Sequence, residues 1–186
     1  MTLYNSSTHF GLISRALHWI TAALVMAQAP LGLVIADMQV NLSNLWLFGL
    51  HKTVGFVVLV LVLARIVWHR ISPAPTPLGD LNSLPNRLAR IVHELLYFCL
   101  ICIPLSGWIA SSATGLDVVV FNHITLPAIA PVSETWEKTG FALHAILTRA
   151  LMALLLAHIG GAVVRAVKRD GTMTRMIRGL QTPQHC

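Results

Sequence analysis

Charge is scarce in this chain. Lys, Arg, Asp and Glu make up 11% of 186 residues, and 7 acidic residues stand against 13 basic ones. Soluble domains carry about 25% charged residues, so a surface wetted on all sides is excluded. The mean hydropathy of +0.71 agrees. Cysteine is also scarce, and three cysteines do not make a disulfide framework. Cys99 and Cys102 form a C-x-x-C. They lie inside an apolar helix, where no loop lets the thiols converge, so they read as small core residues. Cys186, the last residue, reads as a free, disordered thiol on the reducing side.

Long apolar runs fill the space that charge leaves. A helix needs ~20 residues to cross a bilayer, and four stretches qualify, at residues 16–36, 47–68, 94–116 and 139–164. The expected fold class is all-α: a four-transmembrane-helix bundle forming a single domain over residues 1–186 in a lipid bilayer. Ala16–Ala36 contains no Lys, Arg, Asp or Glu and is too long for the apolar core of a signal peptide, so it is expected to stay as a span. Lys52 and Arg65 sit near the ends of the second stretch, where long side chains snorkel to water. Thr139–Val164 carries only Arg149. A soluble helical bundle needs polar faces, and Phe56–Leu63 offers none.

The bias of Lys and Arg sets the expected orientation. With the N-terminus inside, the inner segments hold Arg15, Arg65, Arg70, Arg87, Arg90, Arg165, Lys168, Arg169, Arg175 and Arg178, and the outer segments hold Lys52 and Lys138. By the positive-inside rule both termini are cytoplasmic. The basic excess then lies beside anionic lipid rather than on nucleic acid. Ser72–Asn86, with Pro73, Pro75, Pro77 and Pro85, reads as a non-helical inner linker. Val118–Val132 is apolar, contains Pro127 and Pro131, and is too short to span, so it is expected to lie across the outer mouth as a cap. A faint echo links Leu50-His51…Arg65 with Leu143-His144…His158, each with a polar residue fourteen positions after the histidine.

Five histidines fall at membrane depth: His18, His51, His93, His144 and His158. Ionisable residues there are rare and usually functional. His144 and His158 are about 40° short of four full helical turns apart, so both rings leave one face, about 21 Å apart along the axis. Chain direction gives each histidine a level. The outer level holds His51 and His144, and the inner level holds His18, His158 and His93. The outer pair has one solution, whereas the inner level has three candidates for two places. One membrane histidine alone reads as a ring hydrogen-bonded between helices, but two depth-matched pairs do not. Zinc asks for three or four protein ligands. A haem iron asks for two, because the porphyrin supplies the others.

Several segments taken together are similar to the bacterial cytochrome b561 family. They are Arg15-Ala-Leu-His18-Trp19; Leu50-His51-Lys52-Thr-Val-Gly55 running to Arg65-Ile-Val-Trp68; Leu88-Ala-Arg-Ile-Val-His93-Glu-Leu-Leu-Tyr97 leading to Pro104-Leu-Ser-Gly107-Trp108; Leu143-His144 with His158; and Lys168-Arg-Asp170-Gly171-Thr-Met-Thr-Arg175-Met176. They cover nearly the whole chain in order. The resemblance implies a multi-pass protein of the bacterial inner membrane that holds two haem b groups. It implies that His18 and His158 ligate the inner haem, that His51 and His144 ligate the outer one, and that His93 is a non-ligand beside the inner haem or a quinone site. It further implies oxidation of superoxide at the outer surface with reduction of ubiquinone. A different class of function is a relay subunit that passes electrons to a hydrogenase or dehydrogenase partner.

The candidate substrate residues are Lys52 and Lys138, which as the outer cations either steer an anion or anchor the interface, together with His93 for quinone. No C-x-x-C-H motif is present, so covalent haem attachment is not expected. Some family members have a His-His pair seven residues after the last ligand, where this chain has Arg165-Ala166. Arg149 lies about 140° around the helix from His144. It reads either as a partner for an outer haem propionate, with Glu94 less suited, or as a snorkelling side chain.

Overall fold

The computed structural model describes residues 2–179, so Cys186 lies outside the described residues. Four long helices carry the chain: α1 (Leu12–Ala36), α2 (Leu45–Ile71), α3 (Leu84–Ala113) and α4 (Glu134–Val167). All four are long and apolar enough to cross a membrane. A short antiparallel hairpin, β1 (Val118–Val120) with β2 (Ile124–Leu126), joins α3 to α4, and a one-and-a-half-turn helix, α5 (Thr172–Ile177), follows α4. The termini of the described chain lie at one end of the bundle, called here the terminal end. The other is the hairpin end.

The helices pack as two antiparallel pairs, α1 on α2 and α3 on α4, with α2 also touching α3. A cluster of Val25, Val58, Val62, Leu96, Cys99 and Leu151 forms the core between them. Cys99 thus takes the packing role expected of it. Large apolar side chains otherwise cover the outside, with Ile146 61%, Leu156 72% and Val167 77% exposed. Water penalises such a surface and a hydrocarbon layer does not. Gly140 marks the tightest helix contact. A Cβ there would sit 2.8 Å from the Cβ of Ala110, itself fully buried, so the α3 and α4 backbones touch where both residues are small.

Two expectations need correction. The linker is shorter than Ser72–Asn86, because α3 starts at Leu84 with Pro85 in its first turn. Proline is tolerated there because that N–H has no helical partner anyway. Asn86 donates back to the Leu78 and Asp80 carbonyls and closes the linker on the helix start. The apolar stretch Val118–Val132 does cover the hairpin end, but part of it is a sheet. Val118, Val119 and Val120 pair with Leu126, Thr125 and Ile124. The β-branched side chains of the three valines, Ile124 and Thr125 favour that pleated form. Phe121 and Asn122 turn the hairpin with φ of 53° and 60°, and the Phe121 N–H donates to Thr53 Oγ1 on α2.

The terminal end is tied by backbone acceptors. The first N–H groups of α1 find no side-chain cap. Instead Leu12 N–H donates to the Thr2 carbonyl and Gly11 N–H to Asn5 Oδ1, so the preceding segment folds back as the cap. Gly11 has no alternative, because a Cβ there would strike the backbone of Leu3 and Tyr4. Asn5 bonds both Ser72 groups. Arg175 of α5 is 5% exposed and donates to the Thr76 carbonyl. Arg15 and Trp19 donate to the carbonyls of Ile177 and Met176.

The Gly140 contact generates a stability test. Gly140→Val is expected to force α3 and α4 apart and to cost about 1–3 kcal/mol, read as a lower Tm in detergent. Gly49→Ala, where the nearest atom to a new Cβ is 3.9 Å away, is expected to leave Tm unchanged or to raise it by up to ~1 kcal/mol of helix propensity. Equal behaviour of the two variants would remove Gly140 as a packing constraint.

Candidate functional site

The two halves of the bundle meet through histidine rings. The ring centres of His18 on α1 and His158 on α4 are 6.2 Å apart, with planes at 67°. Those of His51 on α2 and His144 on α4 are 6.1 Å apart, with planes at 68°. Pairing by level is thus observed, and α4 supplies one ring to each pair. Imidazoles holding one metal from opposite sides, with bonds of about 2 Å and about 1 Å more to each ring centre, stand about 6 Å apart. Both pairs fit that spacing. His93 is exposed, and its ring lies 5.0 Å from that of His158, edge to face, which is closer than the opposed pairs. Among the described residues, no three His, Cys, Asp or Glu side chains converge on a common point as in a closed zinc site.

Small residues clear the space beside the rings at the hairpin level. A Cβ on Gly32 would lie 3.2 Å from His51 Cε1, and one on Gly107 would lie 3.1 Å from His144 Cε1. These two glycines are spatial requirements of the imidazoles rather than turn residues. Both rings are also held on their far side. His144 Nδ1 bonds the Ile103 carbonyl at 2.9 Å, the usual partner that fixes an imidazole with its Nε2 free. His51 Nδ1 lies 2.9 Å from Gln28 Nε2, which also donates to the His51 carbonyl at 2.8 Å. The Oε1 of Gln28 is buried without a partner.

The terminal level is built differently. Arg65 Nη1 lies 3.0 Å from His18 Nδ1, and its guanidinium stands 5.6 Å above the ring of Tyr97. The expectation that Arg65 snorkels to water is therefore corrected. Arg65 is fourteen residues after His51, nearly four turns on the same face, so it points inward as His51 does. The sequence echo has a spatial counterpart, since Arg65 and His158, at matching positions after their histidines, both arrive at His18. His69, one turn beyond Arg65, keeps a buried Nε2 with no partner.

Four of the residues singled out from the sequence stand apart from both ring pairs or beside them. Lys52 is half-buried next to His51, and Lys138 pairs with Glu134 on the exposed start of α4. Arg149 is exposed on the outside of α4 and makes no hydrogen bond or ion pair among the described residues, as a side chain reaching through lipid to the interface does. Arg165, where a histidine pair was looked for, binds Asp170, Thr172 and Asn86 and joins α4 to the start of α3. Gln28, Gly32 and His69 escaped the sequence reading, and Gly107 entered it only as part of a family-like segment, without its role beside His144. Gln28 carried a signal, as an amide inside a charge-free span, and the glycines carried none.

Comparison with known proteins gives the family. The family model described as prokaryotic cytochrome b561 matches residues 9–179. Cytochrome b561 homolog 2 of Escherichia coli (strain K12) is 29% identical over 181 residues, covering 95% of each chain. Probable superoxide oxidase CybB of Yersinia pestis is 22% identical over 176 residues, 90% of this chain and 95% of that one. Cytochrome b561 homolog 1 of Escherichia coli (strain K12) is 25% identical over 174 residues, 87% of this chain and 92% of that one. The chain belongs to the prokaryotic cytochrome b561 family, whose members are haem b electron-transfer proteins of the membrane.

Proposed function

We propose that this protein holds two haem b groups, one at each level, and moves electrons from superoxide outside the bacterial inner membrane to ubiquinone. The observation that carries the reading is the repeated ring spacing, 6.2 Å at the terminal level and 6.1 Å at the hairpin level. His18 and His158 would hold the group at one level, and His51 and His144 at the other. Haem b bound there supplies reversible one-electron chemistry near both membrane surfaces. Two imidazoles at each level would leave such a group no open position for oxygen, which suits electron transfer. The terminal end faces the cytoplasm, in keeping with nine of the eleven Lys and Arg residues that remain when Arg65 and Arg149 are set aside.

The chain's own residues act on the ligands and at the two mouths. Ile103 accepts from the His144 Nδ1–H and so leaves Nε2 free, and Gln28 stands at His51 Nδ1, where its Oε1, unpartnered among the described residues, would accept the Nδ1 proton once Nε2 faces a metal. Gly32 and Gly107 keep the space beside those rings clear. At the outer mouth Lys52 attracts the superoxide anion, which loses one electron to become oxygen. Lys138 adds less, because Glu134 offsets its charge. At the other end ubiquinone takes two electrons and two protons for every two superoxide ions oxidised. His93, exposed at the edge of the bundle beside His158, meets a lipid-soluble quinone and passes it a proton.

Purified protein is expected to release two haems per chain into acid–acetone. His51→Ala or His144→Ala is expected to lose the haem of the hairpin level alone, and His18→Ala or His158→Ala the other, read as two distinct difference spectra. His93→Ala keeps both haems and slows quinone reduction by about tenfold or more. One haem per chain, or loss of a haem in His93→Ala with both retained in His18→Ala, overturns the ligand assignment.

A second test concerns the donor. Lys52→Glu combined with Lys138→Glu is expected to slow reduction by superoxide roughly tenfold in stopped flow, because steering of a small anion depends on local charge. Added salt should slow the unsubstituted protein in the same way. Reduction by quinol, a neutral donor, stays nearly unchanged. If superoxide fails to reduce the intact protein, the function passes to a relay subunit serving a hydrogenase or dehydrogenase, and co-purification of that partner becomes the deciding measurement.

A further inference from the structure

The two ring pairs match in spacing but differ in the group that touches Nδ1. At the hairpin level the Nδ1 contacts are neutral groups, the Gln28 amide and the Ile103 carbonyl. Lys52 follows His51 in the chain and also brings a positive charge to this level, but it touches neither ring, making no hydrogen bond to them among the described residues. At the terminal level the contact is a guanidinium, Arg65 Nη1 at 3.0 Å from His18 Nδ1. Arg65 is half-buried, and its Nε is sealed from solvent without a partner among the described residues. Among the described residues no carboxylate forms an ion pair with it. The nearby Arg165 differs, since Asp170 offsets its charge.

We propose that Arg65 is a positioning residue of the electron path: its fixed positive charge, held between His18 and Tyr97, sets the terminal-level haem to a higher reduction potential than the hairpin-level haem. The inference rests on the two-haem reading above. Adding an electron makes an iron site more negative by one charge. A cation in contact with one axial ligand therefore favours the reduced form, most strongly where little water screens it. A guanidinium only donates hydrogen bonds and stays charged in proteins. When His18 turns its Nε2 to a metal its Nδ1 carries the proton, and the hydrogen bond to Arg65 is lost. The charge stays in place nonetheless, because the Tyr97 face holds the guanidinium independently. Electrons entering at the hairpin end then run downhill toward the terminal end. The direction of flow is fixed by one side chain, with no difference in ligand type needed.

The test uses spectroelectrochemical titration of the purified protein. His144→Ala, which keeps the terminal-level haem, is expected to retain the higher of the two midpoints, and His18→Ala the lower. Within His144→Ala, Arg65→Gln is expected to shift the reduction equilibrium about tenfold toward the oxidised form, ~59 mV for one electron. Arg65→Lys, which keeps the charge, is expected to stay close to the parent. The low-spin absorption spectrum is unchanged in both. No shift, a shift toward the reduced form, or an equal shift in Arg65→Lys and Arg65→Gln overturns the proposal. Loss of haem in Arg65→Gln but not in Arg65→Lys also overturns it, because Arg65 then governs retention rather than potential. If the parent His144→Ala holds no haem or two, the two-haem reading fails first and this inference falls with it.

Discussion

Everything in this protein answers to the distance between two rings on one helix. His144 and His158 leave the same face of α4 about 21 Å apart, and each needs a ring from another helix at its own depth. That condition sets where α1 and α2 must stand. It also explains why α4 packs closely on α3 but meets α1 and α2 more loosely, since the gap there is the length of two imidazoles and whatever they hold. The core cluster around Val62 and Cys99 lies between the two levels, so packing and site alternate along the membrane normal.

The ends of the bundle are built by different means. At the hairpin end a three-residue ladder and the Phe121 bond to Thr53 cover the opening. At the terminal end, side chains with several donors reach between segments far apart in sequence, as Arg175 does to Thr76 and Arg165 to Asn86. Guanidinium groups suit that position because they bind backbone carbonyls and remain charged beside lipid head groups. The same residues that bias orientation thus also fasten the fold.

Much of this was legible in the sequence, and the reasons are specific. Depth is a one-dimensional quantity, so chain direction and hydropathy were enough to place His51 with His144. They were not enough at the other level, where His18, His93 and His158 share a depth. Only azimuth separates them there, and the structure shows His93 meeting His158 at 5.0 Å, not across the wider gap. Arg65 was misread because position near a helix end suggests snorkelling, while its face is set by the helical period counted from His51. The hairpin escaped because three-residue strands leave no alternation to detect. The roles of Gly32 and Gly107 escaped because the need for a missing Cβ arises from a neighbouring helix, which no local pattern encodes.

Chain order gives α4 one more consequence. It is the last of the four long helices to leave the ribosome, and it contributes a ring to both pairs. A nascent chain that has inserted α1, α2 and α3 owns His18 and His51 but has nothing opposite either one. Each pair is half present until then, and both are completed by the same insertion event. A product truncated before α4 therefore has no complete pair of rings at either level.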